Sequence, residues 1–205
     1  MNNPSNRPAF RPSPFHVGPV YSAVAGPGAA VPGETTIQRL AQLFAQEPEL
    51  ILAYLESASC EGSPDATAIL IAARAAVSQR PEYADLHYFA AQAAVRADDP
   101  AGARDLLLRA LQLNPRYNDA LILAARVCMT QGQHGEALAY LRRALINGAD
   151  YADVHLMLGD LWRQRDDALQ ARRAYQRALD LNANLAPARS GLAALNGSGA
   201  GGGGA

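Results

Sequence analysis

The sequence predicts an all-α chain: roughly ten helices stacked as antiparallel pairs, with a proline-rich arm before them and a glycine-rich tail after. Three observations predict it. Residues 103–115 (ARDLLLRALQLNP) and 171–183 (ARRAYQRALDLNA) are identical at seven of thirteen positions and lie 68 residues apart. The segment midway between them, 137–149 (ALAYLRRALINGA), keeps Arg143-Ala144-Leu145 and puts Leu141 where the others have Leu107 and Tyr175, so the period is 34 residues. Periods of roughly 20–50 residues mark stacked repeat architectures, in which each unit buries its apolar face only against its neighbours. Finally, no segment alternates apolar and polar residues as a half-buried strand does.

The elements follow in order. Residues 1–33 hold seven of the 13 prolines, four glycines and no Asp or Glu. Proline fixes φ and lacks an amide donor, so this arm is expected to be extended or disordered. Thr35 or Thr36 can cap a helix whose apolar face is Ile37, Leu40, Ala41 and Phe44. Pro48 suits a first helical turn and opens a helix over 49–58. CEGSP (60–64) is a turn, and Asp65 starts a helix that runs to about Ser78 and ends before Pro81. Helices then alternate with short turns over about 82–97, 100–113, 117–130, 134–146, 151–164 and 167–181. Asp99-Pro100 supplies an N-cap and an N1 proline, and Gly132, Gly135 and Gly148 fall between helical segments. A last helix, Pro187 to Leu195, covers the end of the stack. GSGAGGGGA (197–205) reads as a flexible tail. The division is an arm (1–33), N-terminal helices with a degenerate repeat (34–83), three repeats (84–185), a capping helix (186–196) and the tail (197–205).

Composition narrows the function. The net charge of −1 gives no large field for nucleic acid or an anionic membrane, and no apolar run is long enough to span a bilayer. All 18 basic residues are Arg, which removes Schiff-base lysines and a phosphate-loop lysine. The absence of Lys suggests a GC-rich bacterial genome. Two cysteines, Cys60 and Cys128, make no disulfide framework, and a reducing cytoplasm is the simpler reading. His87 and His155 occupy one repeat position and read as packing residues, while His16 falls in the arm and His134 at a turn. No Cys/His spacing suggests zinc. Asp98-Asp99 and Asp166-Asp167 recur at one place in their repeats, which points to turn and cap duty rather than paired catalytic carboxylates. Arg142-Arg143 and Arg172-Arg173 read as solvated outer-face residues. No catalytic motif, metal or cofactor is expected.

The repeat resembles the tetratricopeptide repeat. That family's unit has large residues near positions 4, 7, 11 and 24, small ones at 8, 20 and 27, and a proline at 32, where the three units below have Ala183, Ala149 and Pro115. The unit from Ala152 gives His155, Leu158, Gly159, Trp162, Ala171, Tyr175 and Ala178. The unit from Asn118 gives Leu121, Ala124, Ala125, Cys128, Ala137, Leu141 and Ala144. The unit from Ala84 gives His87, Ala90, Ala91, Ala94, Ala103, Leu107 and Ala110. Residues 48–83 resemble a degenerate fourth unit, with Ala76 and Pro81 in place but Ile69 at the small position 20. The resemblance implies a right-handed superhelix whose first helices line a concave groove, with positions 2, 5, 9 and 12 facing inward. Carried over, these are Asp85, Tyr88, Gln92 and Val95; Asp119, Ile122, Arg126 and Met129; Asp153, Leu156, Asp160 and Arg163. The candidate peptide-binding residues are Tyr88, Gln92, Val95, Ile122, Arg126, Met129, Leu156, Asp160 and Arg163. The Lys/Asn clamp by which one subset of the family grips a C-terminal carboxylate is absent.

The expected function is that of a non-catalytic, cytoplasmic adaptor binding a peptide or helix of another protein. Two further readings fit the same features. One is a chaperone similar in layout to those of type III secretion, holding a hydrophobic secreted protein. The other is a structural subunit that docks or self-associates through its arm, where Phe10, Phe15, Val20 and Tyr21 stand among prolines.

Overall fold

A computed structural model describes residues 34–57 and 65–199. The expectations for the arm, Phe10, Phe15, Val20 and Tyr21 included, lie outside the described residues, as do those for the 60–64 turn and the end of the tail. Among the described residues there are ten helices and no strand: α1 Glu34–Gln46, α2 Leu50–Ser57, α3 Ala66–Gln79, α4 Ala84–Arg96, α5 Pro100–Leu113, α6 Asn118–Thr130, α7 His134–Ile146, α8 Ala152–Gln164, α9 Ala168–Leu181 and α10 Ala186–Gly199.

Two ends differ from the sequence reading. α1 begins at Glu34, so Thr35 and Thr36 sit inside its first turn instead of capping it. α10 runs to Gly199, past the expected break at 197. Once a helix is nucleated and docked, each further residue adds a hydrogen bond at little extra cost, which carries even glycines along.

Three hairpins repeat with the 34-residue period: α4 on α5, α6 on α7, and α8 on α9. Their turns share one backbone solution. Asp98, Gly132 and Asp166 all have positive φ, at 55°, 71° and 58°. The next amide reaches back to close the helix, as in Asp99 N to Ala94 O at 2.8 Å and Gln133 N to Cys128 O at 2.8 Å. This left-handed closure satisfies carbonyls that a helix end otherwise strands. The second aspartate of each pair then caps the following helix: Asp99 Oδ1 accepts from Gly102 N at 2.9 Å and Asp167 Oδ1 from Gln170 N at 3.0 Å. So the repeated Asp-Asp pairs do turn and cap work.

The hairpins close on small residues. Ala91, Ala103 and Ala110, and their repeats Ala125, Ala137 and Ala144, are 0% exposed. A bulkier side chain at any of these would have to overpack at a cost of roughly 1–3 kcal/mol. Leu86, Leu107, Leu121, Leu141, Val154 and Leu161 fill the space between helices. Side chains also stitch successive units. Arg143 Nη2 donates to Pro115 O at 2.7 Å, Arg104 Nη2 pairs with Glu136 at 2.8 Å, and Asp150 is held by His155 at 2.6 Å and by Arg177. His87 Nε2 lies 2.9 Å from the Pro81 carbonyl, so both recurring histidines hold inter-repeat junctions.

The N-terminal part departs from this pattern. α3 packs chiefly on α1, while α2 leans on α4. The reason is visible at Ile69, which is fully buried where later units have Ala103, Ala137 and Ala171. A side chain bulkier than alanine at that position resists the close helix approach of the later hairpins. Phe44 of α1 and Tyr54 of α2 meet edge-to-face, 5.6 Å between ring centres.

Candidate functional site: a groove across the inner helices

The first helices of the three hairpins, α4, α6 and α8, present one groove. Its lining is Tyr88, Gln92, Val95 and Arg96 of α4, Asp119, Ile122, Leu123 and Arg126 of α6, and Asp153 of α8, around a cavity of about 290 Å³. The helical period explains the set: residues three and four apart share a face, so 88, 92 and 95 align on one helix and 119, 122 and 126 on the next.

The floor is apolar and packed. Ile122 and Leu123 are buried, and Tyr88 stacks at a tilt on Tyr117, 5.0 Å between ring centres, and on Phe89 at 5.3 Å. Burial, with the Asp119 carboxylate adding to it, pushes the Tyr88 hydroxyl up to about 12, while Gln92 and Arg126 work against that rise. The Tyr117 hydroxyl is pushed up too, by burial first and then by its hydrogen bond to Asp85. Both phenols are therefore neutral donors at physiological pH. Above the floor stand groups of both signs. Asp119 and Asp153 lie in the first turns of α6 and α8, and Arg96 lies in the last turn of α4. Arg126 is exposed and makes no ion pair among the described residues.

Five of the nine residues named from sequence come together here: Tyr88, Gln92, Val95, Ile122 and Arg126. The other four are placed differently. Met129 is half-buried against the main core. Leu156 packs against the cluster around Tyr175. Asp160 accepts the Tyr175 hydroxyl proton bond at 2.7 Å, and Arg163 Nε donates to the same oxygen at 3.3 Å. These two charges serve the α8–α9 contact, which the inward position alone could not foretell. Arg96 and Leu123 line the groove although neither occupies one of the four inward positions. Each directly follows an inward residue on its helix, and a period of 3.6 brings such neighbours to the groove wall.

Among the described residues, no group of three or more His, Cys, Asp or Glu is placed to hold a metal ion. Cys128 is buried, and burial, followed by Glu136, pushes its thiol up, away from reactive thiolate. No helix among the described residues is long and apolar enough to cross a membrane.

A stack of helical hairpins with an open, mixed-charge groove along its inner helices is a helical-repeat solenoid, a class that works as scaffolds for other proteins. Residues 94–161 match one family model described as tetratricopeptide repeat, and residues 64–118 match a second with the same description. Residues 64–161 thus carry tetratricopeptide repeats. No curated protein matches it in sequence. Among solved structures it is similar to MamA, from residue 41 to its end, of Desulfovibrio magneticus RS-1, at 17% identity over 78% of this chain and 86% of that one, with a TM-score of 0.67. It is similar to PilF of Pseudomonas aeruginosa, at 22% identity over 80% and 71% of the two chains, with a TM-score of 0.66. A further likeness is to YrrB, described as a TPR protein with an unusual peptide-binding site, at 16% identity over 80% and 85%, with a TM-score of 0.58. At these identities the likeness is one of fold.

Proposed function

We propose that this protein is a non-catalytic, cytoplasmic adaptor that binds an extended or helical segment of another protein across the groove of α4, α6 and α8. The observation that carries the reading is the pairing of an apolar floor, Tyr88 and Ile122, with donors at its edge, Gln92 and Arg126. An apolar anchor of the ligand would bury against the floor, and its backbone carbonyls would accept from the edge. Arg126 is free to make that bond without breaking another. The peptide-binding description of YrrB, a protein of similar fold, points the same way.

The test replaces exposed donors and leaves the buried floor alone. The full chain and a Gln92→Glu/Arg126→Glu variant with the same helical content and melting temperature are immobilised beside each other and exposed to native lysate. A partner retained by the first and lost by the second, with affinity down at least about 30-fold (about 2 kcal/mol), supports the groove. Equal capture by both overturns it.

A further inference from the structure

We propose that in the free protein this groove is occupied by the chain's own N-terminal arm, with Arg7 and Arg11 against the aspartates of the inner helices and Phe10 on the Tyr88–Ile122 floor. The inference rests on the reading of the groove as a peptide site and names its resident ligand.

Charge complementarity is the first argument. The arm carries Arg7 and Arg11 and neither Asp nor Glu over residues 1–33. The inner helices carry Asp85, Asp119 and Asp153 in their first turns, one per repeat. Two of these line the groove beside the apolar floor, which Arg96 and Arg126 also border. None is taken up by an Arg or His side chain among the described residues.

Spacing is the second. Packed helices lie about 8–10 Å apart. Two residues four apart on an extended proline-rich strand lie about 12 Å apart. Arg7 and Arg11 can therefore reach carboxylates on neighbouring inner helices, with Phe10 between them over the floor.

Backbone chemistry is the third. Pro8, Pro12 and Pro14 remove three of the eight amide donors of residues 7–14 and leave every carbonyl acceptor in place. The groove edge offers the matching donors, Gln92 and Arg126. Because proline restricts the free arm, less entropy is lost on docking.

Reach is the fourth. Residues 12–33, at about 3.1 Å each, span up to about 70 Å. They join α1, which packs on α3, which packs on α4, the helix that carries Tyr88. The arm is thus tethered two helices from the groove, at a local concentration in the roughly millimolar range. An external partner must displace it, which makes the arm a competitor that sets the threshold for binding.

The test uses the full chain with p-benzoylphenylalanine in place of Phe10. Irradiation of dilute protein is expected to join position 10 to peptides spanning residues 85–126, within the monomer. Arg7→Glu/Arg11→Glu in the same chain alters no residue of the described helices and should cut that product at least fivefold. It should also raise partner capture several-fold. Three outcomes overturn the proposal: products spread over the outer helices α5, α7 and α9; products insensitive to the arginine reversal; or products found only between two chains. If Gln92→Glu/Arg126→Glu still abolishes partner capture while no position-10 product forms in the groove, the groove keeps its function and the arm loses its role.

Discussion

The ring of Tyr175 lies so close over Gly159 that a Cβ at Gly159 would stand 2.5 Å from both Cδ1 and Cε1. Gly191 of α10 meets the same ring, where a Cβ would stand 2.5 Å from Cζ. The corresponding pairs in the earlier repeats are Ala91 with Leu107 and Ala125 with Leu141. The last repeat has a tyrosine where the others have a leucine, and Gly159 where they have Ala91 and Ala125. The tyrosine hydroxyl ties Asp160 and Arg163, and the ring joins α8 and α9 to the capping helix α10.

This pairing makes the two sites energetically coupled. Gly159→Ala should destabilise by about 1–3 kcal/mol through overpacking, although alanine is the better helix former. Tyr175→Leu should cost a similar amount through the void it leaves. The double change restores the pair used in the other repeats and should recover about 1 kcal/mol or more relative to the sum. Urea unfolding of the four proteins measures this, and strict additivity would refute the coupling.

The left-handed residues within the three hairpins give a second comparison. Asp98 and Asp166 hold a conformation that Gly132 adopts freely. A side-chain-bearing residue in this region costs roughly 1–2 kcal/mol, less for Asp, and glycine gives part of that back in chain entropy. Asp98→Gly and Asp166→Gly should each raise stability by about 0.5 kcal/mol, and Gly132→Ala should lower it by about 1 kcal/mol. The midpoints of thermal or urea unfolding decide it. A lower midpoint for either glycine variant would mean the aspartate side chain does work beyond the turn.

Alkaline pH probes the groove floor. Tyr88 is pushed up to about 12 by burial and then by Asp119, whereas an unfolded tyrosine titrates near 10. A group whose folded value is raised favours the fold while it stays protonated. Its contribution is therefore complete below about pH 10 and is lost as pH rises towards about 12. Tyr175, also pushed up to about 12 by burial and then by Asp160, acts in the same window. Stability measured by urea from pH 9 to 12 should fall, and Tyr88→Phe should flatten part of the fall. An unchanged slope in that variant would place Tyr88 in contact with solvent.

Much of the fold is legible in the sequence because each unit repeats the same local solution. The Asp99-Pro100 start, the left-handed Asp98, Gly132 and Asp166, and the alanines at the helix crossings depend on residues within one hairpin. Local chemistry and the period therefore suffice to place α4 through α9. The N-terminal helices were less legible. Nothing near Ile69 states that α3 will turn to α1 instead of α2, because that choice depends on helices distant in sequence. The same holds for the groove. Tyr88, Gln92, Val95, Ile122 and Arg126 follow from the inward positions and the helical period. Asp160 and Arg163 satisfy the same rule, yet their charges are engaged by a hydroxyl from α9.

The sequence by itself determined the helices, their turns and the face that each inner helix turns to the groove, since these arise from backbone preference and side-chain spacing within a single 34-residue unit. Only the tertiary structure decided which of the inward side chains remain available. Availability depends on what a distant residue, such as Tyr175 against its two glycines, has already bonded, and that is a property of packing between units.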